Sequence, residues 1–488
     1  MRPRRGFVLL VVLIVVAAAV LAVTGTIFLV RGEVAGTANA GESVRVRAVA
    51  SSGVAAVAAR LGQSRGEILA GGEPLIEPSF ILWEAGGERG VVRLLPLGPE
   101  ARTLVPENAK IDLGRVDAEG LVRGGTFDTE AAARVIAARD AVGGRPLELD
   151  GLLAHGVIPE DLHGDLDDSF LAAFGDVESA DEDLAAASRD AALEIARGVA
   201  PAPRGLSDLA TVFSSDPPVA SDGTPRILVA DTLDEEEREI LDRRLGDGAA
   251  AALARIAGEA PDEAALVEAW SSVRPDPSDW SALLDAVTLI DAGLDEGRLD
   301  ILRAGEAALA ALPGLSPEAA ARIVRERDAV PAEGRLDPAW IVERGIVDAG
   351  TFRALLPRLA TRSLFWRVRV EGRIERTGDD RPPEPTSRVI LEAVIDLTGE
   401  RPRLASLRDV TALPDAIRML ASLPAPDERP ESEADLDSLA TPENAEPSEL
   451  PEPEPVLEEV DPGRPAPVEA ESAARSGAKG IGRWKRAG

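Results

Sequence analysis

The chain has 488 residues, 45% of them hydrophobic, so it can bury a core and is long enough for two or three domains. Aromatic residues make up only 3% and Tyr is absent, leaving Ala, Leu, Val and Ile to build that core and few rings for stacking on sugars or single-stranded nucleic acid. A formal net charge of −32 repels phosphate backbones, and the absence of Cys excludes disulfides, thiolate catalysis and Cys-based zinc sites.

The first element in chain order is the run from Phe7 to Val30, apolar except for Thr24, Gly25 and Thr26. Its length suffices to cross a hydrocarbon layer of about 30 Å at about 1.5 Å per residue. Arg2, Arg4 and Arg5 precede it, which predicts a single-pass helix with a cytoplasmic N-terminus and the bulk of the chain outside. A cleaved secretory signal fits poorly, because the interruption lies before the apolar run, at Gly6–Phe7. Basic residues, Gly6, Phe7 and a long apolar helix resemble the leader of type IV prepilins and type II secretion pseudopilins. The resemblance implies that a prepilin peptidase cuts between Gly6 and Phe7 and methylates the new terminus. Val11 stands at the fifth mature position, where most of that family has Glu; the K-type minor subunits lack it. A plain signal anchor is the alternative reading of this segment.

Residues 31–63 carry Val46, Ala50, Val54, Val57 and Leu61 at three- to four-residue spacing, which predicts an amphipathic continuation of the first helix. Ala48, Ala50, Ser51, Ser52 and Gly53 permit close helix contact, while Gly32, Gly36 and Gly41 are expected to kink or melt the helix. Residues 64–107 read as a first α/β part, with a strand at Val91–Leu97.

Residues 108–360 contain an internal repeat. Residues 110–142 and 298–330 align without a gap at an offset of 188, matching Asp112 with Asp300 and Arg139-Asp140-Ala-Val with Arg327-Asp328-Ala-Val. A degenerate third copy begins near Arg226-Ile-Leu-Val229 and runs to Ile256. Each copy reads as a short strand, a helix, a turn and a second helix, hence helix-hairpin-helix units at 108–150 and 297–350. In the second, Gly314 frees the turn, Ser316 caps and Pro317 opens the next helix. Such units often hold DNA backbones. Here Arg322, Arg325 and Arg327 are offset by Glu318, Glu326 and Asp328, and nucleic acid is not expected.

Residues 361–412 predict the second part of an antiparallel sheet. In Ser363–Arg376, Trp366, Val368, Val370 and Ile374 alternate with Arg367, Arg369, Glu371 and Arg373, a half-buried strand; Ser387–Asp396 and Arg403–Val410 follow. From 413 the chain becomes a linker and tail rich in Pro, Glu, Asp and Ser, expected to be disordered because it cannot offset its ordering entropy. Its last stretch, Lys479–Arg486, is basic.

No catalytic signature is present, so no enzyme is expected. His155 and His163, the only two histidines, read as surface residues. Asp165, Asp167 and Asp168, and Asp216 with Asp222, are candidate calcium ligands, against the alternative of solvated acidic loops. The order of the leader, the segment Glu107–Leu121, the segment Asp208–Asp231, the repeat at 298–330 and the final strands resembles the type II secretion protein K family over residues 1–412. Asp112 and Gly114 stand where that family often has two Asn. The resemblance implies an α+β fold: a pilin-like membrane helix and antiparallel sheet with an inserted helical domain of helix-hairpin-helix repeats. It also implies calcium, the I- and J-type minor pseudopilins as partners, the inner membrane as location, and a role capping the pseudopilus tip. The competing expectation is a membrane-anchored, competence-type DNA receptor; a signal-anchored scaffold is a third.

Overall fold

Helix α1 runs without interruption from Arg5 to Gln63, 59 residues or roughly 90 Å of rod. The computed structural model describes residues 5–413 except 99, 101, 165–204, 217–218, 230–232, 257–259, 261, 291–294 and 377–386. The acidic tail therefore lies outside the described residues. Gly32, Gly36 and Gly41 do not break α1, contrary to expectation. The hydrogen-bond ladder propagates across each from both sides, at a cost of about 1 kcal/mol per glycine. Among the described residues no helix is long and apolar enough to cross a membrane. The run Phe7–Val30 belongs to the backbone of α1, but most of its side chains are outside the described set.

The fold is α+β. Its main sheet is antiparallel, in the order β1 (Ser79–Ala85), β2 (Glu88–Leu95), β12 (Phe365–Arg376), β13 (Arg388–Asp396), β14 (Arg403–Asp409), with β3 (Leu104–Pro106) also pairing with β12. The C-terminal half of α1 lies on one face. Val46, Val49, Ala50, Val54, Val57 and Leu61 are buried against Val92, Leu94, Trp366, Val368, Val370, Leu391 and Ile395, and the short helix α2 (Arg65–Leu69) closes this core with Ile68. The helix can come this close because of two glycines. A Cβ on Gly372 would stand 2.4 Å from the Ala50 nitrogen, and one on Gly53 would stand 2.8 Å from a Val92 methyl. Ala50 and Gly53 thus face inward; of the small residues noted above, only Ala48, Ser51 and Ser52 face solvent.

The opposite face of the sheet departs from the half-buried expectation. Arg369, Glu371, Glu375 and Glu392 are buried although charged. The register explains how: Arg369 lies directly across from Glu392, Glu371 from Arg93, Glu375 from Arg89, and Arg408 from Glu392 on the other side. Opposite charges paired across strands form a ladder, with Arg89–Glu375 at 2.6 Å and Arg369–Glu392 at 2.8 Å.

Between β3 and β12 the chain builds a helical body with a core of its own. Beside one antiparallel pair, β6 (Ser215–Asp216) with β9 (Asp295–Glu296), three parallel two-residue ladders organise it: β4 (Ile111–Asp112) with β5 (Ala210–Thr211), β7 (Ile227–Leu228) with β8 (Val287–Thr288), and β10 (Leu299–Asp300) with β11 (Leu359–Ala360). In each, the residue after the first strand donates to the last carbonyl of its partner at 2.9 Å: Leu113 to Thr211, Val229 to Thr288, Ile301 to Ala360. After each first strand come two helices: α3 (Ala118–Arg123) and α4 (Thr129–Ala141), α5 (Glu235–Leu245) and α6 (Ala249–Ile256), and, past α7 (Glu263–Val273) and α8 (Pro277–Ala286), α9 (Glu306–Ala310) and α10 (Pro317–Glu326). The 188-residue offset holds bond by bond. Asp112 accepts from the Gly114 nitrogen and Asp300 from the Leu302 nitrogen. Arg139 Nη1 donates to the Val116 carbonyl and Arg327 Nη1 to the Ala304 carbonyl, both at 2.6 Å.

Substituting Gly372→Val drives a side chain into helix backbone that cannot rotate away, so it is expected to cost about 1–3 kcal/mol or more. Gly41→Ala, where nothing lies within 4 Å of the new methyl, is the control and is expected to raise stability by up to about 1 kcal/mol. Thermal melting of the two variants separates them; equal midpoints rule out the close approach.

Candidate assembly surface

The helical body meets the sheet where the chain leaves β3. Glu107, fully buried, accepts from Arg367 Nε at 2.6 Å and Nη2 at 3.1 Å and from the Thr211 hydroxyl. Arg367 Nη1 also donates to Glu392 at 2.6 Å, and Glu392 accepts from Arg369 and Arg408. Arg408 reaches on to Asp150 of the helical body. Beside this network, buried Asn108 donates to the Arg298 carbonyl at 3.1 Å and accepts from the Ser363 hydroxyl at 3.1 Å. Burial by itself raises the Glu107 carboxyl pKa, but the Arg367 and Lys110 cations outweigh it and hold the group below its usual range. Burial also acts to raise Glu392, and Arg369, Arg367 and Arg408 hold it well below.

The outward side of α1 is bordered by ion pairs from Arg45 to Glu88 at 2.5 Å and from Arg47 to Asp409. Between them and Arg60, Ala48, Ser51, Ser52, Ala55 and Ala59 are exposed. A second helix could approach such a strip closely. Leu404 and Leu407, 48% and 47% exposed, stand on the edge strand β14, whose bulge puts them opposite Ile395 and Ala393 of the α1-facing core.

Gly6 and Phe7 fall in the first turns of α1, and their surroundings lie outside the described residues. Gly314 has φ +82° in the turn between α9 and α10, where Ser316 caps α10 by accepting from the Ala319 nitrogen. In the first unit Gly125, at φ +76°, takes the left-handed position one residue earlier in the alignment, and Asp128 caps α4. The hairpin arginines are largely committed within the protein. Arg322 binds Glu326 and the Arg344 and Gly345 carbonyls; Arg134 grips Asp161 with two bonds; Arg139 and Arg327 hold carbonyls of their own units. Arg325 alone of the three in the second unit is exposed.

Asp165, Asp167 and Asp168 lie outside the described residues. Asp216 is buried, 2.8 Å from Arg226 and 3.9 Å from Arg298. Burial acts to raise its pKa, and the arginine charges lower it below the usual range. The carboxylate is thus held ionised and is already paired with arginines. Asp222 accepts instead from Thr224 and Arg244 in an exposed turn, so the two aspartates have separate partners. Among the described residues no group of three or more His, Asp or Glu side chains could hold a metal ion. His163 is not a surface residue: it is 6% exposed, 4.0 Å from Asp150, and burial depresses its pKa. Sequence periodicity missed the Glu107 network, because its members are distant in the chain; an acidic residue beginning an otherwise short connection was its only trace.

Comparison with protein-family models, curated proteins and solved structures finds no match to this chain.

Because the native carboxyls of Glu107 and Glu392 ionise at lower pH than unfolded ones, the unfolded chain binds more protons in acid. Their stabilisation is full above the ordinary Glu pKa of about 4.3 and is lost as pH falls from there through the lower native values. Urea midpoints measured between pH 7 and pH 3 should trace this fall, and Glu392→Gln should flatten it. Arg367→Ala strands buried carboxylates and is expected to cost about 3–5 kcal/mol at neutral pH.

Proposed function

We propose that this chain is a minor pseudopilin of the K type, which caps the tip of a type II secretion pseudopilus and supports export across the outer membrane. The observation that carries this reading is α1. One unbroken helix starts in the basic leader, contains the apolar run Phe7–Val30 and ends packed on an antiparallel sheet. In this reading Phe7–Val30 spans the inner membrane, the leader Met1–Gly6 is removed by the prepilin peptidase, and the bulk lies in the periplasm. Val11, at the position where other subunits carry Glu, leaves no charge to pair with the amine of a neighbour above.

The small-residue strip of α1 and the β14 edge are then the surfaces offered to the I- and J-type subunits. The helical body, inserted between β3 and β12, is the added mass that ends the filament. The commitment of the hairpin arginines to internal carbonyls and carboxylates supports an architectural use of these units over nucleic-acid binding.

Intact-mass measurement of the chain from cells with an active prepilin peptidase tests the reading. The expected mass lacks Met1–Gly6 and gains one methyl group. An uncleaved chain under those conditions overturns it, and tight DNA binding at physiological salt would redirect it to a receptor.

A further inference from the structure

The cavity beside α3 and α9 has its arginines already paired, Arg123 with Glu119, Arg102 with Glu100 and Arg303 with Asp300, so they hold no charge in reserve for a ligand. A different surface is open. α1 and β14 run side by side and antiparallel. Arg47 pairs with Asp409 at one end, and at the other a Cβ on Gly62 would stand 2.5 Å from the Pro402 ring. The helix from Arg47 to Gly62 and the chain from Pro402 to Asp409 each span about 23 Å. Between those ends Ser51 and Ala55, exposed, follow Arg47 along one side of α1, and Ala58 is half-buried. Leu404 and Leu407 of β14, each about half exposed, stand opposite Ile395 and Ala393 of the α1-facing core. Small residues on the helix and two leucines on the strand edge thus form the walls of a shallow apolar groove.

The chain leaves β14 at the Arg47 end of this groove and is fastened there. Val410 donates to the Ile390 carbonyl and the Thr411 hydroxyl accepts from the Ile390 nitrogen, both at 2.9 Å. Leu413 donates to the Val410 carbonyl at 3.1 Å and enters a helical turn. From there to Leu423 the sequence is unlike the acidic tail. In LPDAIRMLASL, Leu413, Ile417 and Leu420 recur at three- to four-residue spacing, flanked by Met419 and Leu423, while Asp415, Arg418 and Ser422 share the opposite side. Pro414 and Asp415 suit the first turn of a helix. The Glu- and Pro-rich composition begins only after Pro424, and the compact unit of the chain extends to that same residue. A helix over 413–423 is about 15 Å long, which fits the groove. It is too short to persist alone in water and needs an apolar surface to form on.

We infer that residues 413–423 form an amphipathic helix that docks back along the β14 edge, parallel to α1, and covers the exposed leucines of the strand. The spacing agrees. Leu407 stands about 10 Å along the strand from Val410, and Leu420 about 10 Å along the helix from Leu413, so the two come level, with Leu423 next in the direction of Leu404. Asp415, Arg418 and Ser422 are left facing water. The docking stands without the filament reading; on that reading, the helix occupies part of the surface offered to neighbouring subunits and has to leave before they bind.

The chain has no Cys, so introduced cysteines report on this contact alone. In the full chain in detergent, Leu407→Cys with Leu420→Cys is expected to form an intramolecular disulfide on aerobic oxidation, read as a linked pair of proteolytic peptides. It should form several-fold faster than in Leu407→Cys with Ser422→Cys, whose second thiol is on the outward side. Adding Ile417→Asp to the first pair should slow the disulfide several-fold, whereas adding Ser422→Asp should leave it unchanged. Equal rates for the two pairs overturn the inference, as does the absence of a disulfide in both or indifference to Ile417→Asp. A disulfide that forms only between chains, in a mixture of the single-cysteine variants, also overturns it, in favour of a second copy seated in the groove. A cleaved, methylated chain that lacks the disulfide keeps the filament reading and removes this one; an uncleaved chain that forms it does the reverse.

Discussion

The junction of sheet and helical body rests on a buried ion network centred on Arg367. Two carboxylates, Glu107 where the chain enters the helical body and Glu392 on the adjacent strand, share this one guanidinium. Buried charges are tolerated only when paired and hydrogen-bonded. Here the pairing requires β12, β13, β14 and the chain around Glu107 to hold their register at once. The same requirement makes the junction specific, since a slip of one residue would place Arg367 against the α1 core.

On the other face the constraint is distance rather than charge. Gly372 and Gly53 let α1 sink until helix backbone and strand backbone nearly touch. The sheet is therefore gripped on both faces, apolar contact beneath α1 and ion pairs on the reverse. A helix held this way can transmit load along its axis to the sheet, which is the mechanical demand of the proposed filament role.

The helical body repeats one device three times: a two-residue parallel ladder, a helix pair and a closing strand. In the first and third units an aspartate turns the chain and an arginine at the end of the second helix ties back to the start of the unit. The middle unit has Leu228 in place of the aspartate and keeps the ladder alone, so backbone pairing rather than side-chain chemistry defines the repeat. The arginines that hairpins elsewhere spend on phosphates are used here to close the fold.

The sequence by itself determined the inward stripe of α1 from Val46 to Leu61, the alternation of β12, the positions of β13 and β14, and the paired helices of the first and last repeats. Each is a local periodicity or a gapless self-match, legible without knowing what packs against it. It did not disclose β1, whose Ser79–Ala85 lacks clean alternation, nor the closing strands β5, β8 and β11, two residues long. Only the tertiary structure decided that the charged face of the sheet is buried, that Asp216 belongs to arginines, that Gly372 matters, and that a cavity opens beside α3 and α9. Those outcomes depend on residues such as Glu107 and Arg367, 260 positions apart. Complementarity across such a span is set by strand register and backbone approach, which no local pattern encodes.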